Sequence, residues 1–226
     1  MFHHNIEDSH VAAILESPAA PALAAALNTA LVEEKKRRQH FYQEIDDDMK
    51  AEFINGDMVV HSPVKKEHTD AMGFLFQILN VFVRVFQLGY VGYEKVMTAL
   101  TRNDYEPDVL FFGLEKSVNF KKGQWKYPPP DFVVEVLSEG TEARDRGIKF
   151  QDYEAHGVAE YWIIDPEEES VEQYLLHEGH FKLHLKAGQG RIESRAVPGF
   201  SIDIRAIFDE KANLEALQQI LSSHLN

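Results

Sequence analysis

The chain of 226 residues contains no cysteine. This absence excludes disulfide bonds, zinc–thiolate sites and catalysis by a thiol. The sequence also lacks any run of about 18 apolar residues, the length needed to cross a membrane. Residues 1–10 are polar and acidic, without the basic start and apolar stretch of a secretion signal. These absences together lead us to expect a cytoplasmic protein.

Positive charge is scarce relative to negative charge. Lysine and arginine number 23 against 37 aspartates and glutamates, which gives a net charge of −14. This balance counts against broad, nonspecific binding of nucleic acid, because such binding depends on neutralising phosphates with Lys and Arg. A local basic groove within an acidic shell remains compatible with it. Hydrophobic residues make up 44% of the chain, enough for the core of one domain with appendages.

The order of predicted elements divides the chain into three parts. Residues 1–45 are expected to form a loosely structured leader and a long helix, whose start is indicated by Ser17 followed by proline. Residues 46–205 interleave strands with helices, and residues 206–226 end in a further helix. Interleaving of this kind predicts an α/β or α+β fold with a mixed sheet flanked by helices.

Turn signals and the spacing of apolar residues give approximate bounds for the individual elements. The Asn-Gly pair at 55–56 predicts a tight hairpin over 52–60. The remaining predicted elements, in chain order, are a helix over 18–44, a helix over 68–88, strands over 93–100, 108–112 and 132–137, a helix over 142–156, a strand over 160–165, a hairpin of 171–176 with 181–185, a strand over 197–204 and a helix over 214–225.

Two carboxylates occur where the sequence otherwise has the apolar character of buried strands. The segment 132–137 is apolar on both faces apart from Glu135, and Asp108 leads into the apolar segment 109–112. An unpaired carboxylate in such a place costs several kcal/mol. If the two strands are neighbours, the two carboxylates meet at one point. Hard oxygen ligands of this kind suit Mg²⁺ or Mn²⁺.

Lys149 is the cationic residue that we expect to lie near these two carboxylates. It lies roughly two turns into the helix predicted after the Glu135 strand. A metal between the carboxylates would activate water and polarise a phosphoryl oxygen, and the lysine would orient that water. A purely structural interpretation is equally open, in which Asp108 is a turn residue and Glu135 forms an ion pair with Arg144 or Lys149.

A set of short motifs follows in fixed order through the central part of the chain. They are Glu52-Phe53-Ile54-Asn55-Gly56-Asp57-Met58-Val59, Ser62-Pro63, His68, Pro107-Asp108-Val109, Pro130-Asp131-Phe132-Val133-Val134-Glu135-Val136-Leu137-Ser138, Thr141, Arg144-Asp145, Lys149, Tyr153, Gly157-Val158 and Glu160-Tyr161-Trp162-Ile163-Ile164-Asp165-Pro166. In order and spacing this set resembles the Uma family of putative restriction endonucleases, a branch of the PD-(D/E)XK nuclease superfamily. The resemblance covers roughly residues 46–205.

The resemblance implies a restriction-endonuclease-like core with an N-terminal helical extension. It also implies a Mg²⁺- or Mn²⁺-dependent endonuclease that hydrolyses phosphodiester bonds of DNA. Carried over residue by residue, it makes Asp108 and Glu135 the metal ligands, together with the backbone carbonyl of Val136. Lys149 would assist the attacking water, and Glu52 would support the metal site. Because cutting both strands of a duplex suits two sites related by a two-fold axis, we expect a homodimer.

One departure from the superfamily pattern keeps a different function open. The lysine expected two residues after the glutamate is replaced by Leu137, and the resemblance moves its role to Lys149 on the following helix. Together with the net charge of −14, this departure leaves room for a catalytically inactive nuclease-fold module that binds or assembles with other proteins. RNA and branched DNA also remain open as substrates.

Three further features have both a structural and a functional interpretation. The basic run 35–38 is interpreted as a charged helix end rather than a grip on DNA. The segment 120–127 alternates lysines with aromatic residues, and we interpret it as a solvated loop rather than a flap that contacts phosphates. His68 is expected either near the active cleft or in a capping or surface role, and Tyr153 in the core beside the site.

Overall fold

The structure is a computed structural model that describes residues 9–46 and 48–224. The start of the predicted leader, residues 1–8, lies outside the described residues, as do Asp47 and residues 225–226. The helices are α1 (Ser9–Glu16), α2 (Ala20–Glu44), α3 (Lys66–Val85), α4 (Leu114–Ser117), α5 (Glu142–Asp145), α6 (Ile148–Ala155) and α7 (Glu210–His224). No helix within the described ranges is both long enough and apolar enough to span a membrane.

The strands form two larger sheets and one small sheet. They are β1 (Ala51–Ile54), β2 (Asp57–Val60), β3 (Gly89–Tyr93), β4 (Met97–Ala99), β5 (Asp104–Tyr105), β6 (Val109–Gly113), β7 (Lys126–Tyr127), β8 (Phe132–Val136), β9 (Glu160–Asp165), β10 (Ser170–His177), β11 (His180–Ala187), β12 (Arg191–Glu193) and β13 (Ser201–Asp203).

The largest sheet has six strands in the order β11-β10-β9-β8-β6-β3, and only its β8–β9 pair is parallel. A second sheet has the order β2-β1-β5-β4-β7 with a parallel β4–β7 pair, and β12 pairs with β13. Helices flank these mixed sheets. The predicted fold class, a mixed α/β architecture, is therefore confirmed.

The central strand β8 is covered on both faces, as its sequence predicts. Its residues Phe132, Val134 and Val136 belong to a core that includes the buried face of α3. Val133 faces the opposite way, into a smaller core that includes Tyr153 and Tyr161. Since side chains alternate along a strand, Glu135 shares the face of Val133. The sheet thus directs this carboxylate towards α6 rather than towards α3.

The predicted hairpin and the predicted helix α2 are observed. Asn55 and Gly56 have φ of 52° and 95°, the left-handed conformation that the tight turn between β1 and β2 requires. At the C-terminal half of α2, Arg38 binds the buried Asp104 with two contacts of 2.6 Å, and Arg37 donates to the carbonyl of Gly56 at 2.8 Å. These arginines join the helix to the core, so the basic run has a structural role. It lies within α2, however, and not at a helix end as predicted.

The aromatic loop between β6 and β8 also packs against the protein. Phe120 and Tyr127 contact each other with ring centroids 5.0 Å apart, and Phe120 lies 4.9 Å from Phe112. Trp125 meets Tyr42 edge-on at 5.5 Å while staying half-exposed. This arrangement agrees with a loop whose aromatic residues cover an apolar edge of the sheet.

Several predicted elements differ from those observed. The helix expected over 142–156 is two helices, because the backbone turns at Gly147, where a Cβ would lie 2.6 Å from the carbonyl oxygen of Ala143. The strand expected over 93–100 is broken by Glu94, whose φ of 52° ends β3 and sends β4 into the other sheet.

Two elements nearer the ends of the chain also differ from those predicted. A helix, α1, occurs in the segment predicted to be a loose leader. The strand expected over 197–204 is reduced to β13, since Gly199 takes a φ of 77° and a 3₁₀ turn begins at Ile204. Its partner β12 was not predicted.

Glu172 is a buried carboxylate surrounded by hydrogen-bond donors. It lies in β10 and accepts hydrogen bonds from Arg146, Lys186 and Tyr174 at 2.6–3.1 Å. Burial alone would raise the pKa of Glu172, but these donors outweigh burial and lower it to about 2 from its usual 4.5. A depressed pKa in the folded state stabilises the protein above the unfolded-state pKa, and this contribution is lost as the pH falls.

We therefore expect Glu172→Gln to reduce the free energy of unfolding by about 2–3 kcal/mol near neutral pH. The difference between the two proteins should shrink as the pH falls from 4.5 towards 2. Urea unfolding of both proteins over this pH range measures it. A difference that stays constant with pH would contradict the assignment of the stabilisation to the ionised carboxylate.

Candidate active site

Asp108 and Glu135 lie side by side at the junction of β6 and β8. These strands are antiparallel with Val109 opposite Val134, and the same register, extended by one residue, brings Asp108 level with Glu135. Both carboxylates line one cavity of about 300 Å³, which we call the acidic cleft. Its walls also include Lys50, His61, His68, Glu106 and Lys149. The two acids therefore face the same side of the sheet.

Lys149 lies at the start of α6 with its ammonium group among three carboxylates. Its Nζ is 2.9 Å from Glu52, 3.1 Å from Glu135 and 3.2 Å from Asp145. Only 1% of the residue is exposed. Burial would lower the pKa of Lys149, but the carboxylates outweigh it and raise the pKa well above its usual value. The lysine is therefore a fixed cation at the base of the cleft.

Glu52 is fully buried in β1 and is held by two kinds of contact besides Lys149. One carboxylate oxygen accepts the backbone N–H of Glu106 at 3.0 Å, and the other lies 3.2 Å from His61 Nε2. Burial would raise the pKa of Glu52, yet Lys149 and His61 hold it well below its usual value. Glu52 therefore orients Lys149 as a charged partner.

Asp108 is fixed at both of its oxygens. Oδ1 lies 3.0 Å from Lys50 Nζ, while Oδ2 accepts the backbone N–H of Val136 at 2.9 Å and lies 3.4 Å from His68 Nε2. Burial would raise the pKa of Asp108, but these neighbours keep it below its usual value. His68 thus lies at the cleft, one of the two positions expected for it.

Glu135 has the opposite electrostatic character. Its Oε1 accepts hydrogen bonds from Lys149 and from the hydroxyl of Tyr153, the latter at 2.8 Å. Burial raises the pKa of Glu135 well above its usual value, and the nearby Asp145 and Asp108 add to this effect while Lys149 opposes it. Tyr153 is buried in the core as expected, and it also donates to the site.

Several charged residues of the cleft were missed in the sequence, among them Lys50, His61 and Glu106. Lys50 is two residues before Glu52, and the period of two along a strand places both side chains on one face. His61 follows β2, and its N–H bonds to the carbonyl of Lys50 at 3.0 Å across the hairpin. Glu106 is buried, which raises its pKa to about 7. The strand period was a usable signal for Lys50, and the hairpin register was one for His61.

The residues of the cleft fit a hard divalent cation by their charge. Five carboxylates are buried in or next to the cleft, those of Glu52, Glu106, Asp108, Glu135 and Asp145, and all but Glu106 form an ion pair with Lys50 or Lys149. The described ranges hold no ready-made cluster of three or more His, Asp or Glu ligands. Mg²⁺, however, commonly binds through one or two carboxylates and keeps several waters. Burial is the largest cause of the raised pKa of Glu135, and the neighbouring carboxylates of Asp145 and Asp108 raise it further; a bound cation would offset both effects.

A match to a protein-family model shows the family of this chain. A family model named Uma2 and described as "Putative restriction endonuclease" matches residues 38–205. The chain belongs to this family. Glu52, Asp108, Glu135 and Lys149 all fall within the part that matches the Uma2 family. The family resemblance predicted from the motifs is thereby confirmed.

A solved structure supports the same fold. The crystal structure of a putative nuclease from Anabaena variabilis matches with a TM-score of 0.64 at 15% sequence identity, over 78% of this chain and 96% of that chain. At this level of identity the likeness is one of fold. No curated protein matches the chain. The protein is thus a member of the Uma2 family with a nuclease-like fold.

Proposed function

We propose that this protein is a Mg²⁺- or Mn²⁺-dependent endonuclease that hydrolyses DNA. The observation that carries the proposal is the convergence of Asp108 and Glu135 from neighbouring strands, with Lys149 Nζ 3.1 Å from Glu135 in the same cleft. An acid pair beside a buried cation is a suitable arrangement for a reaction that develops negative charge on phosphoryl oxygens. Membership of the Uma2 family supports a nuclease.

The proposal gives a role to each residue that the family resemblance implies for the site. Asp108 and Glu135 would hold the metal, together with the backbone carbonyl of Val136. When bound, the metal would polarise a phosphoryl oxygen and lower the pKa of a coordinated water. Lys149 would orient the attacking water and offset negative charge in the transition state. Glu52 would keep Lys149 in place through its contact at 2.9 Å.

The surroundings keep these groups in position before a substrate arrives. The N–H of Val136 fixes the carboxylate of Asp108, and the hydroxyl of Tyr153 fixes that of Glu135. Such preorganisation reduces the rearrangement needed in the reaction. We also propose the division into an N-terminal part (1–45), a nuclease core (46–205) and a C-terminal helix (206–226), and a homodimer in which each copy cuts one strand.

A second candidate function is a catalytically inactive module that binds other proteins. It is favoured by the enclosure of Lys149, whose ammonium group lies within 3.2 Å of three buried carboxylates. The net charge of −14 favours it too. In this case the cleft would be a buried ion-pair network that only stabilises the fold.

A plasmid-nicking assay separates the two candidates. Purified protein is incubated with supercoiled plasmid in Mg²⁺, in Mn²⁺ and in excess chelator. We expect nicking that requires the metal and falls by about 10²–10³-fold in Glu135→Gln, since that change removes charge at the reacting centre. The exposed Glu115→Gln serves as the matched control and should keep wild-type activity. Equal residual nicking in the wild type and Glu135→Gln would point to contamination and favour the inactive module.

A further inference from the structure

A second cavity opens beside the acidic cleft. It has a volume of about 520 Å³, and we call it the outer cavity. Cavities of about 300–1,000 Å³ are typical of binding sites for small ligands. The residues common to the walls of both cavities are His61, Ser62, Pro63, Val64, His68 and Thr141. The outer cavity and the acidic cleft therefore adjoin each other.

Arg144 lies in the wall of the outer cavity with a donor that has no acceptor. Its Nε is buried and makes no hydrogen bond. Within residues 9–46 and 48–224, its guanidinium group also forms no ion pair with a carboxylate. A buried donor without a partner costs about 1–3 kcal/mol. The position is therefore suited to a ligand that supplies oxygen acceptors.

Of the five acidic residues that line the outer cavity, none within the described residues forms an ion pair with Arg144, and several are paired with other cations nearby. Glu167 is bound by Lys65 at 2.7 Å, and Glu142 is bound by Arg146 at 2.9 Å. These carboxylates already have cationic partners, and Arg146 itself is further occupied by a second carboxylate. Arg144 thus has no carboxylate partner among the described residues of this wall, and its guanidinium group is available to bind an anionic ligand.

The short helix α5 connects Arg144 to the proposed catalytic residues. Asp145, the next residue, contacts Lys149 at 3.2 Å, while Arg144 lines the neighbouring cavity. Thr141, just before α5, lines both cavities. The helix therefore sets the position of Arg144 relative to Lys149, so an anion bound by Arg144 lies beside the acidic cleft.

We propose that Arg144 binds a phosphate of the nucleic-acid backbone next to the phosphate that is cleaved. This inference rests on the proposed nuclease function and adds a substrate contact to it. The planar guanidinium group presents paired N–H donors that match phosphate oxygens. In a chain with a net charge of −14, a cation without a counter-ion beside the cleft attracts the substrate where most of the surface repels it.

The first test measures anion binding without catalysis. Inorganic phosphate is titrated into the metal-free protein, and the Nε–H resonance of Arg144 is followed by NMR, assigned through its absence in Arg144→Gln. We expect this resonance to shift and saturate, whereas that of the exposed Arg84 should not move. Absence of a shift at Arg144 would overturn the proposal.

The second test asks whether the anion belongs to a nucleic-acid backbone. Fluorescence anisotropy of a labelled DNA duplex, in chelator and at several salt concentrations, compares the wild type with Arg144→Gln, Arg144→Lys and the charge-matched control Arg84→Gln. We expect about tenfold weaker binding for Arg144→Gln. Its salt dependence should fall by about one unit of slope, an effect that a purely structural role would not produce. Arg144→Lys should keep most of the slope.

The outcomes separate this inference from the proposed function. A phosphate shift at Arg144 together with unchanged duplex binding in Arg144→Gln would assign the cavity to a free anion and overturn the backbone contact. Positive results in both tests, without metal-dependent nicking by the wild type, would overturn the nuclease and leave the Arg144 contact standing. Circular dichroism confirms that each variant is folded.

Discussion

Replacing Lys149 with methionine is expected to lower the free energy of unfolding by about 3–5 kcal/mol. The substitution keeps the length of the side chain and removes its charge. Glu52, Glu135 and Asp145, each within 3.2 Å of Nζ, would then be buried together without a cation between them. Breaking a buried ion pair from one side leaves an uncompensated charge, and here three carboxylates lose the same partner.

The stability lost in Lys149→Met should depend on pH. Without Lys149 the pKa of Glu52, now held low by Lys149 and His61, should rise. A pKa raised in the folded state means that folding is penalised as the pH increases above the unfolded-state value. The loss of stability in Lys149→Met should therefore be largest near neutral pH and shrink in acid. Urea unfolding at several pH values measures it.

Two comparisons make the Lys149 prediction specific. Lys116 contacts Asp131 at 2.7 Å in a half-exposed position, and Lys116→Met should cost about 1 kcal/mol or less. Adding Glu52→Gln to Lys149→Met should restore part of the lost stability, because it removes one of the carboxylates left without a cation. The effects of the two neighbouring substitutions are therefore not additive. If Lys149→Met unfolds at the wild-type urea concentration, the three carboxylates do not depend on this cation.

The sequence was sufficient for those parts of the site that depend on strand geometry. The apolar run around Glu135 predicted a strand covered on both faces, and the apolar segment after Asp108 predicted a second strand. That the two strands are neighbours was a condition of the metal site, and the structure shows them paired. Asp145 and Lys149 are four residues apart, a spacing typical of side chains that share one helix face. Their contact is observed although the helix between them breaks at Gly147, since a single turn suffices to bring them together.

The rest of the site depends on contacts between elements far apart in sequence. Lys50 reaches Asp108 across 58 residues, and the N–H of Ala51 binds Glu106 across 55. Such contacts follow from the pairing of β1 with β5, directly before Glu106 in the chain, which no local pattern specifies. The unpaired Nε of Arg144 is likewise visible only once the walls of both cavities are in place.

Asp108→Asn is expected to abolish metal binding and to reduce nicking by about 10²–10³-fold or more while the protein stays folded. Asparagine has the same shape as aspartate, and its carbonyl oxygen can still accept the N–H of Val136, now bonded at 2.9 Å. The substitution removes the negative charge that faces Lys50 and His68. A hard cation loses a charged ligand, whereas the backbone contact that positions the side chain is kept.

Calorimetric titration of Mn²⁺ into each protein measures the first effect. The matched control is Asp131→Asn, because Asp131 also accepts a backbone N–H, that of Gly113 at 2.7 Å, next to the same strand β8. The control should bind metal and nick plasmid like the wild type. Metal binding that survives unchanged in Asp108→Asn would remove Asp108 from the ligand set. The cleft would then have to be explained as a network of ion pairs that stabilises the fold, with Glu135 held by Lys149 and Tyr153 alone.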